Sequence, residues 1–219
     1  LNFKYKGEKE NILENINLNI PSGSFIGILG KTGSGKTTLA NILAKFYEIP
    51  NEKISFNNID INNIERKSFY EKFAYVMQDD YIYDNTIKHN IELYKSYNED
   101  EIKDATQKAE LLDTIDKLDK KYNTLIGDNG IKLSGGQKQR LILSRNLIKK
   151  PNILIIDNGF TGLDINTRKK VVENLSNKNN KTTLVIISSM MEDIKNADKI
   201  YKLENKTLVE MDKEEVYDA

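Results

Sequence analysis

The stretch that decides the fold is FIGILGKTGSGKTTLANILAKF, residues 25–46. It starts with an apolar run of strand length and ends with apolar residues at helical spacing as far as Phe46. Between them, Gly30-Lys31-Thr32-Gly33-Ser34-Gly35-Lys36-Thr37 fits the pattern G-x-x-x-x-G-K-[ST], in the strand-to-helix context that this pattern requires. The sequence therefore predicts a glycine-rich loop that wraps around phosphate groups.

Each residue type in this loop has a physical reason to be there. Glycines let the backbone approach phosphate oxygens closely, and the N-terminus of the following helix points N–H groups at the anion. We expect Lys36 to bridge the β- and γ-phosphates and the Thr37 hydroxyl to bind Mg²⁺. The alternative is a glycine-rich turn with a chance lysine, which the flanking strand and helix disfavour. The predicted nucleotide-contacting residues of this segment are Gly30, Lys31, Thr32, Gly33, Ser34, Gly35, Lys36, Thr37 and Thr38.

A second apolar strand supplies an acidic residue for the metal. The run ILII at residues 153–156 is followed by Asp157, which puts a carboxylate at the carboxyl end of the strand. Ligands of parallel α/β sheets bind at that end of the strands. The alternative is an ordinary turn aspartate that ends the strand. Together with the glycine-rich loop, the pattern predicts that Asp157 binds Mg²⁺ beside Thr37.

Composition narrows the classes of function. The 219 residues include 33 basic and 33 acidic ones, so the formal net charge is zero and we expect no nucleic-acid partner. The absence of cysteine excludes disulfides, iron–sulfur clusters, cysteine zinc sites and thiol catalysis. The only histidine, His89, falls in a helical segment where we expect a surface role. No stretch approaches the roughly 20 apolar residues of a membrane-spanning helix, and because the sequence starts with Leu1 we expect a segment of a longer chain.

The order of predicted elements is typical of the α/β class. Period-two residues over 1–20 predict antiparallel strands, after which apolar strands alternate with helices, as in a mostly parallel sheet covered on both faces. We expect one domain, 1–219, with a catalytic core of about 1–77 and 150–219 and a helical subdomain of about 78–149. Among the predicted elements are helices over 98–109, 134–148 and 165–175 and strands over 183–187 and 199–203.

A second glycine-rich segment, Leu133-Ser134-Gly135-Gly136-Gln137, opens another predicted helix. A serine and two glycines at a helix N-terminus form an anion-binding site, and one nucleotide does not need two such sites. The segment matches the LSGGQ signature of ABC transporter nucleotide-binding domains, and essentially the whole chain resembles such a domain, which has a P-loop NTPase core. In that family two domains dimerise head to tail. The resemblance therefore implies that Ser134, Gly135, Gly136 and Gln137 act in trans, on the ATP held by the partner's phosphate loop.

Other residues match further positions of this family. Tyr5 matches the aromatic residue that stacks on adenine, although an ordinary strand tyrosine is the alternative. Gln78, in YVMQDD, resembles the glutamine that contacts Mg²⁺ and water where the catalytic and helical subdomains join. Residues 161–164 (TGLD) resemble the dimer-contacting loop that is usually SALD. Residues 124–130 (TLIGDNG), with Asp128 at the acidic position, resemble the segment before the signature in exporter-type domains.

Two departures from the family pattern concern hydrolysis. The residue after the metal-binding aspartate is normally a glutamate that serves as general base, and here it is Asn158, which cannot accept a proton at neutral pH. Counting back from residues 196–200 (NADKI) puts Ser189 at the position of the switch histidine. Loss of a positioned base lowers the rate by about 10²–10⁴. We expect a naturally degenerate site that binds ATP and hydrolyses it poorly; engineered changes are the alternative.

The resemblance implies an ATPase domain that powers an exporter-type ABC transporter. Its expected cofactors are ATP and Mg²⁺. Its expected partners are transmembrane domains, met by the loop after Gln78 on the cytoplasmic face of a membrane, and a second nucleotide-binding domain, identical or different. The alternative is a soluble ABC ATPase of translation or chromosome maintenance, which usually has two domains in one chain or a long coiled-coil insertion. The sequence does not reveal the transported substrate, because selectivity lies in the membrane part.

Overall fold

The computed structural model describes residues 1–77, 80–127, 130–179 and 181–212. Strands and helices alternate along most of the chain, so the predicted α/β class is confirmed. In chain order the elements are β1 (Phe25–Leu29), α1 (Lys36–Leu43), β2 (Ser55–Phe56), β3 (Ile59–Asp60), α2 (Arg66–Lys72), β4 (Phe73–Val76), β5 (Asn85–Thr86), α3 (Ile87–Glu92), α4 (Glu99–Lys108), α5 (Leu112–Asp116), β6 (Leu125–Ile126), α6 (Gly135–Leu147), β7 (Ile153–Asp157), α7 (Ile165–Leu175), β8 (Thr183–Ser188), β9 (Lys199–Glu204) and β10 (Thr207–Glu210).

The chain folds into two compact units. The first contains residues 1–75, 152–158 and 181–219, and the second contains 76–151 and 159–180. The second unit takes in 159–180, which the sequence analysis assigned to the core; the assignment of one domain with a core and a helical subdomain stays a prediction. Among the described residues, no helix combines the length and the apolar character needed to cross a bilayer.

A six-stranded sheet, in the order β10-β9-β1-β8-β7-β4, organises the first unit. β1 pairs in parallel with β8 and β9, β7 pairs in parallel with β8, and β10 runs antiparallel to β9. All six residues of β8 are buried, as are most of β1 and β7. Such continuous burial is typical of parallel strands covered on both faces. The predicted mostly parallel sheet is confirmed.

The register of the sheet brings several carboxyl ends together. Leu29, the last residue of β1, lies beside Ser188 of β8, and Asp157, the last residue of β7, lies beside Ile187. The glycine-rich loop that follows Leu29 therefore leaves the sheet at the edge where Asp157 is placed. This is the edge at which ligands of parallel sheets bind.

The N-terminal residues pair in antiparallel fashion over a shorter length than the period-two pattern predicts. Leu1, Phe3 and Tyr5 are half-buried and alternate with exposed residues, but the pairing is an isolated bridge between Phe3 and Leu13. Residues 6–11 are polar and bring no apolar side chain to the core. The pairing is therefore confined to the residues on either side of this run. A separate antiparallel pair is formed by β2 and β3.

The second unit contains α3 to α7. Asn98 caps α4 and forms a capping box with Glu101, which is the start that the sequence predicts for this helix. The apolar faces of α3 to α6 build one core, so α6, which follows the signature, is held on its buried side. The buried residues of this core are Ile87, Ile91, Ile102, Ala105, Leu111, Ile115, Ile126, Leu141 and Ile148.

Candidate functional site

The glycine-rich loop ends in a helix N-terminus that is open to an anion. Gly35, the N-cap of α1, has φ 99°, a left-handed conformation that glycine adopts without strain. Among the described residues no side chain caps this helix, and its first turn contains no acidic residue. The N–H groups of that turn therefore have no side-chain acceptor and suit a phosphate.

Ser34 adds a hydroxyl group that fits the same ligand. Its Oγ is buried and has no hydrogen-bond partner among the described residues. An unsatisfied buried polar group costs about 1–3 kcal/mol, and a phosphate oxygen would remove that cost by accepting a hydrogen bond from the hydroxyl. Gly30 is needed beside it, because a Cβ at that position would come within 2.6 Å of Ser34 Oγ.

Lys36 is buried, with 5% of its surface exposed. Its Nζ donates to the carbonyl oxygens of Gly30 at 2.7 Å and Lys31 at 2.8 Å, so the ammonium group is held inside the loop. Burial lowers the pKa of Lys36, and the charge of Asp157 partly offsets that effect. Since an ammonium group has three N–H donors, one remains for a phosphate oxygen.

The structure brings the two predicted Mg²⁺ ligands into direct contact. The Thr37 hydroxyl donates to Asp157 Oδ2 at 2.6 Å, and Asp157 is fully buried. Burial raises the pKa of Asp157, while the Thr37 hydroxyl, the Lys36 charge and the Tyr75 hydroxyl act in the opposite direction. A hydroxyl and a carboxylate side by side are oxygen donors of the kind that Mg²⁺ prefers.

Tyr75, which lies beside Asp157, and its partner Asn41 were missed by the sequence analysis. The Tyr75 hydroxyl on β4 lies 3.5 Å from Asp157 Oδ2 and donates to Asn41 Oδ1 on α1 at 3.1 Å. Burial raises the pKa of Tyr75, so the phenol stays protonated and able to donate. A single hydroxyl in the apolar strand FAYV was the available signal, and it does not identify a partner.

The structure places Tyr5 against helix α1. Its hydroxyl lies 2.6 Å from Thr38 Oγ1, so Tyr5 and the last predicted residue of the phosphate loop are brought together. The Tyr5 ring meets those of Phe3 and Tyr47 edge to face, with centroids 5.4 Å and 5.6 Å away. Tyr47 was not among the predicted site residues. This aromatic group flanks α1.

Asn158 and Ser189 lie at the carboxyl ends of the two neighbouring strands β7 and β8. The backbone N–H of Asn158 donates to the carbonyl oxygen of Ile187 at 2.9 Å, and its Nδ2 lies 3.5 Å from Asp157 Oδ1. Ser189 is exposed and directly follows β8. Before it, the buried Ser188 hydroxyl donates to Asp193 Oδ2 at 2.5 Å, a contact that sequence analysis did not foresee.

The signature segment begins α6 through a capping box. Ser134 Oγ accepts from the N–H of Gln137 at 3.2 Å, and Gln137 Oε1 accepts from the N–H of Ser134 at 2.9 Å. Ser134 and Gly135 are exposed. Because Ser134 Oγ is used here as an acceptor, its own proton is available to an external anion. Gln78 and Asp128 lie outside the described residues.

Comparison with known proteins decides the family. A family model described as "ABC transporter" matches residues 13–161. The chain belongs to the ABC transporter family. The family prediction is therefore confirmed, and with it the prediction of an ABC-type ATPase domain.

The relatives of this ABC transporter chain are named as a multidrug resistance-like ATP-binding protein and as a lipid A-core flippase. It is 37% identical to "Multidrug resistance-like ATP-binding protein MdlA" of Buchnera aphidicola subsp. Baizongia pistaciae, over 96% of this chain and 37% of that protein. It is 32% identical to "ATP-dependent lipid A-core flippase" of Escherichia coli K12, over 95% of this chain and 36% of that protein. The chain thus spans little more than a third of these relatives.

A solved structure supports both the fold and the exporter type. The chain matches the structure of a bacterial Atm1-family ABC exporter with ATP bound, at a TM-score of 0.89 and 28% identity, over 99% of this chain and 38% of that chain. The predicted P-loop NTPase fold and the resemblance to exporter-type domains are confirmed.

Proposed function

We propose that this chain binds Mg·ATP through residues 30–38 and powers export as a nucleotide-binding domain of an ABC transporter. The observation that carries the proposal is the contact between Thr37 and Asp157, 2.6 Å apart beside the buried ammonium group of Lys36. A charge-neutralising lysine, a hydroxyl and a carboxylate at one helix N-terminus are the groups that a nucleotide polyphosphate with Mg²⁺ requires. Tyr5 would stack on the adenine.

Thr37 and Asp157 would hold Mg²⁺, with Gln78 as a further ligand, and the bound ion would neutralise charge on the β- and γ-phosphates. Among the described residues there is no cluster of three or more acidic, histidine or cysteine side chains that could hold a metal alone. Mg²⁺ in nucleotide sites is usually bound by one or two protein ligands together with phosphate oxygens and water. The sparse donor set therefore suits Mg²⁺ that arrives with the nucleotide.

The chain would act as half of a head-to-tail dimer attached to transmembrane domains on the cytoplasmic side of a membrane. The support is the second anion site at Ser134, which has an available hydroxyl proton and an exposed helix N-terminus. A single ATP bound at residues 30–38 needs no second site of this kind. The signature would therefore cover the γ-phosphate of the ATP that a partner domain binds.

Hydrolysis at this chain's own site would be slow. The side chain at position 158 is an amide, which has no basicity with which to activate water, and position 189 carries a short hydroxyl in place of an imidazole. The binding groups described above are intact. The chain would thus contribute mainly by holding ATP and by completing the partner's site.

Nucleotide titration of Lys36→Ala tests the binding proposal. Loss of an ammonium donor that faces phosphate should raise the Kd for a fluorescent ATP analogue with Mg²⁺ by about tenfold or more, because such charged hydrogen bonds contribute about 1.5–3 kcal/mol. Lys53→Ala, at an exposed position of the same unit, is the matched control and should leave the Kd unchanged. Equal Kd values for both variants would show that residues 30–38 do not form the ATP site.

A further inference from the structure

Gln139, in the second turn of α6, joins the signature helix to the loop that follows β7. Its Oε1 accepts from the backbone N–H of Gly162 at 2.8 Å, and its Nε2 donates to Thr161 Oγ1 at 3.0 Å. Both ends of one side-chain amide thus bind consecutive residues of the same loop. These bonds to Thr161 and Gly162 are not needed to start α6, because Ser134 and Gln137 already cap that helix.

The backbones of the two segments also approach closely at this point. A Cβ on the buried Gly136 would come within 2.5 Å of the carbonyl oxygen of Gly162. A Cβ on Gly162 would lie 3.1 Å from both Gly136 N and Gln139 Oε1. Glycine at positions 136 and 162 therefore permits a close backbone contact, and the Gln139 amide holds the two segments at that contact.

The far end of the same loop is fixed as well. Asp164 caps α7 by accepting from the N–H of Thr167 at 3.0 Å, and Arg168 on α7 donates to the carbonyl oxygen of Phe160 at 3.1 Å. Residues 160–164 are therefore anchored at α7, and the Gln139 amide also ties them to α6.

We propose that Gln139 is a positioning residue that presents the signature, 133–137, and the loop 160–164 to a partner domain as one preformed surface. This inference rests on the proposed head-to-tail dimer, in which both segments meet the partner. Association of a mobile loop must also overcome the entropy lost when the loop is ordered. A loop that Gln139 has already ordered avoids most of that loss.

The test uses Gln139→Leu in the 219-residue chain, with Gln107→Leu as the same chemical change on the exposed face of α4. Dimer formation is measured by sedimentation at saturating Mg·ATP, where the slow hydrolysis expected from Asn158 preserves the ATP-bound state. We expect Gln139→Leu to weaken association by about tenfold, from the loss of two hydrogen bonds and the freed loop. Its Kd for ATP at concentrations too low for dimers should stay within about twofold of the parent chain, because the hydrogen bonds that the structure shows for this amide go to Thr161 and Gly162 and not to residues 30–38.

Thr161→Val provides a second, milder variant that keeps the bond from Gln139 to Gly162. It should weaken the dimer less than Gln139→Leu, and the double variant should be about as weak as Gln139→Leu alone, because both changes remove the one bond between Gln139 and Thr161. Unchanged dimer affinity in Gln139→Leu and Thr161→Val would overturn the role of Gln139 while leaving the head-to-tail dimer standing. A parent chain that stays monomeric at saturating Mg·ATP would overturn a dimer of two copies of this chain, and the role of Gln139 in that dimer with it.

Discussion

Asn158 carries an amide at the position where the family pattern has a glutamate. Its backbone φ of 48° lies in the left-handed region, which asparagine adopts more readily than glutamate. Its amide stands next to the Asp157 carboxylate, where a general base would have to act on water. The Asn158 side chain therefore offers no proton acceptor at the end of β7.

The variant Asn158→Glu with Ser189→His should restore turnover. The carboxylate can polarise water, and the imidazole can contact the γ-phosphate. Because both serve one water and one phosphate, the double variant should exceed either single change, on the order of tenfold or more above the parent chain. Phosphate release with Mg·ATP is the measurement. Glutamate at φ 48° also predicts a loss of about 1 kcal/mol in the free energy of unfolding.

Two outcomes would contradict the degenerate site. One is robust Mg²⁺-dependent hydrolysis by the parent chain. The other is a double variant that binds ATP and dimerises but still fails to turn over.

Helix α6 combines two adjacent glycines with different surroundings. Gly136 is buried against Gly162, whereas no described atom lies within 4 Å of a Cβ placed on exposed Gly135. Their shared place in the signature pattern does not reveal this difference. The element therefore has one face that packs inside the second unit and one that is presented outward.

Gly136→Ala should destabilise the fold, and Gly135→Ala should not. The added methyl at position 136 meets the Gly162 carbonyl oxygen at 2.5 Å, and such overpacking costs about 1–3 kcal/mol. At position 135 the methyl meets open space, so the free energy of unfolding should stay the same or rise by up to about 1 kcal/mol. Urea denaturation of both variants measures the difference. Equal midpoints would show that the glycines at 136 and 162 are not in contact.

At the scale of the whole molecule, the phosphate loop belongs to the first unit and the signature to the second. Each unit has its own apolar core, the first around β1 and α1 and the second around α3 and α6. A substitution on the exposed start of α6 therefore need not alter the fold of the phosphate loop. This separation makes a trans role testable.

Ser134→Arg should act on the partner's nucleotide and not on this chain's own. In a complex with a hydrolytically competent partner, the bulky guanidinium would block the exposed helix start and abolish hydrolysis at the partner's site. ATP binding at residues 30–38 should remain. The bonds that hold this segment, from Lys36 to the Gly30 carbonyl oxygen and from Thr37 to Asp157, do not involve Ser134. Single-turnover hydrolysis by the complex and ATP titration of this chain alone are the two measurements. Undiminished hydrolysis would contradict the trans role.

The sequence by itself determined the features that depend on local spacing. The phosphate-loop pattern, the capping box at Asn98 and the bounds of α7 were predictable because caps and helical periodicity involve residues three or four apart. The family signature LSGGQ is equally local, which is why five residues sufficed to suggest the family.

Only the tertiary structure decided the contacts between distant residues. The helix predicted as far as Phe46 ends at Leu43 because Lys45 turns to φ 60°, with its ammonium group donating to the Ile61 carbonyl oxygen at 2.6 Å. Helix α2 and strand β10 were not predicted, since the apolar residues in these two segments do not recur at a clear helical or strand spacing. The Tyr75 hydroxyl near Asp157 and the Gln139 amide on the loop at Gly162 join parts of the chain that no short pattern links. Such contacts exist only once the sheet register and the helix packing have brought the partners together, so their signal is absent from any short stretch of sequence.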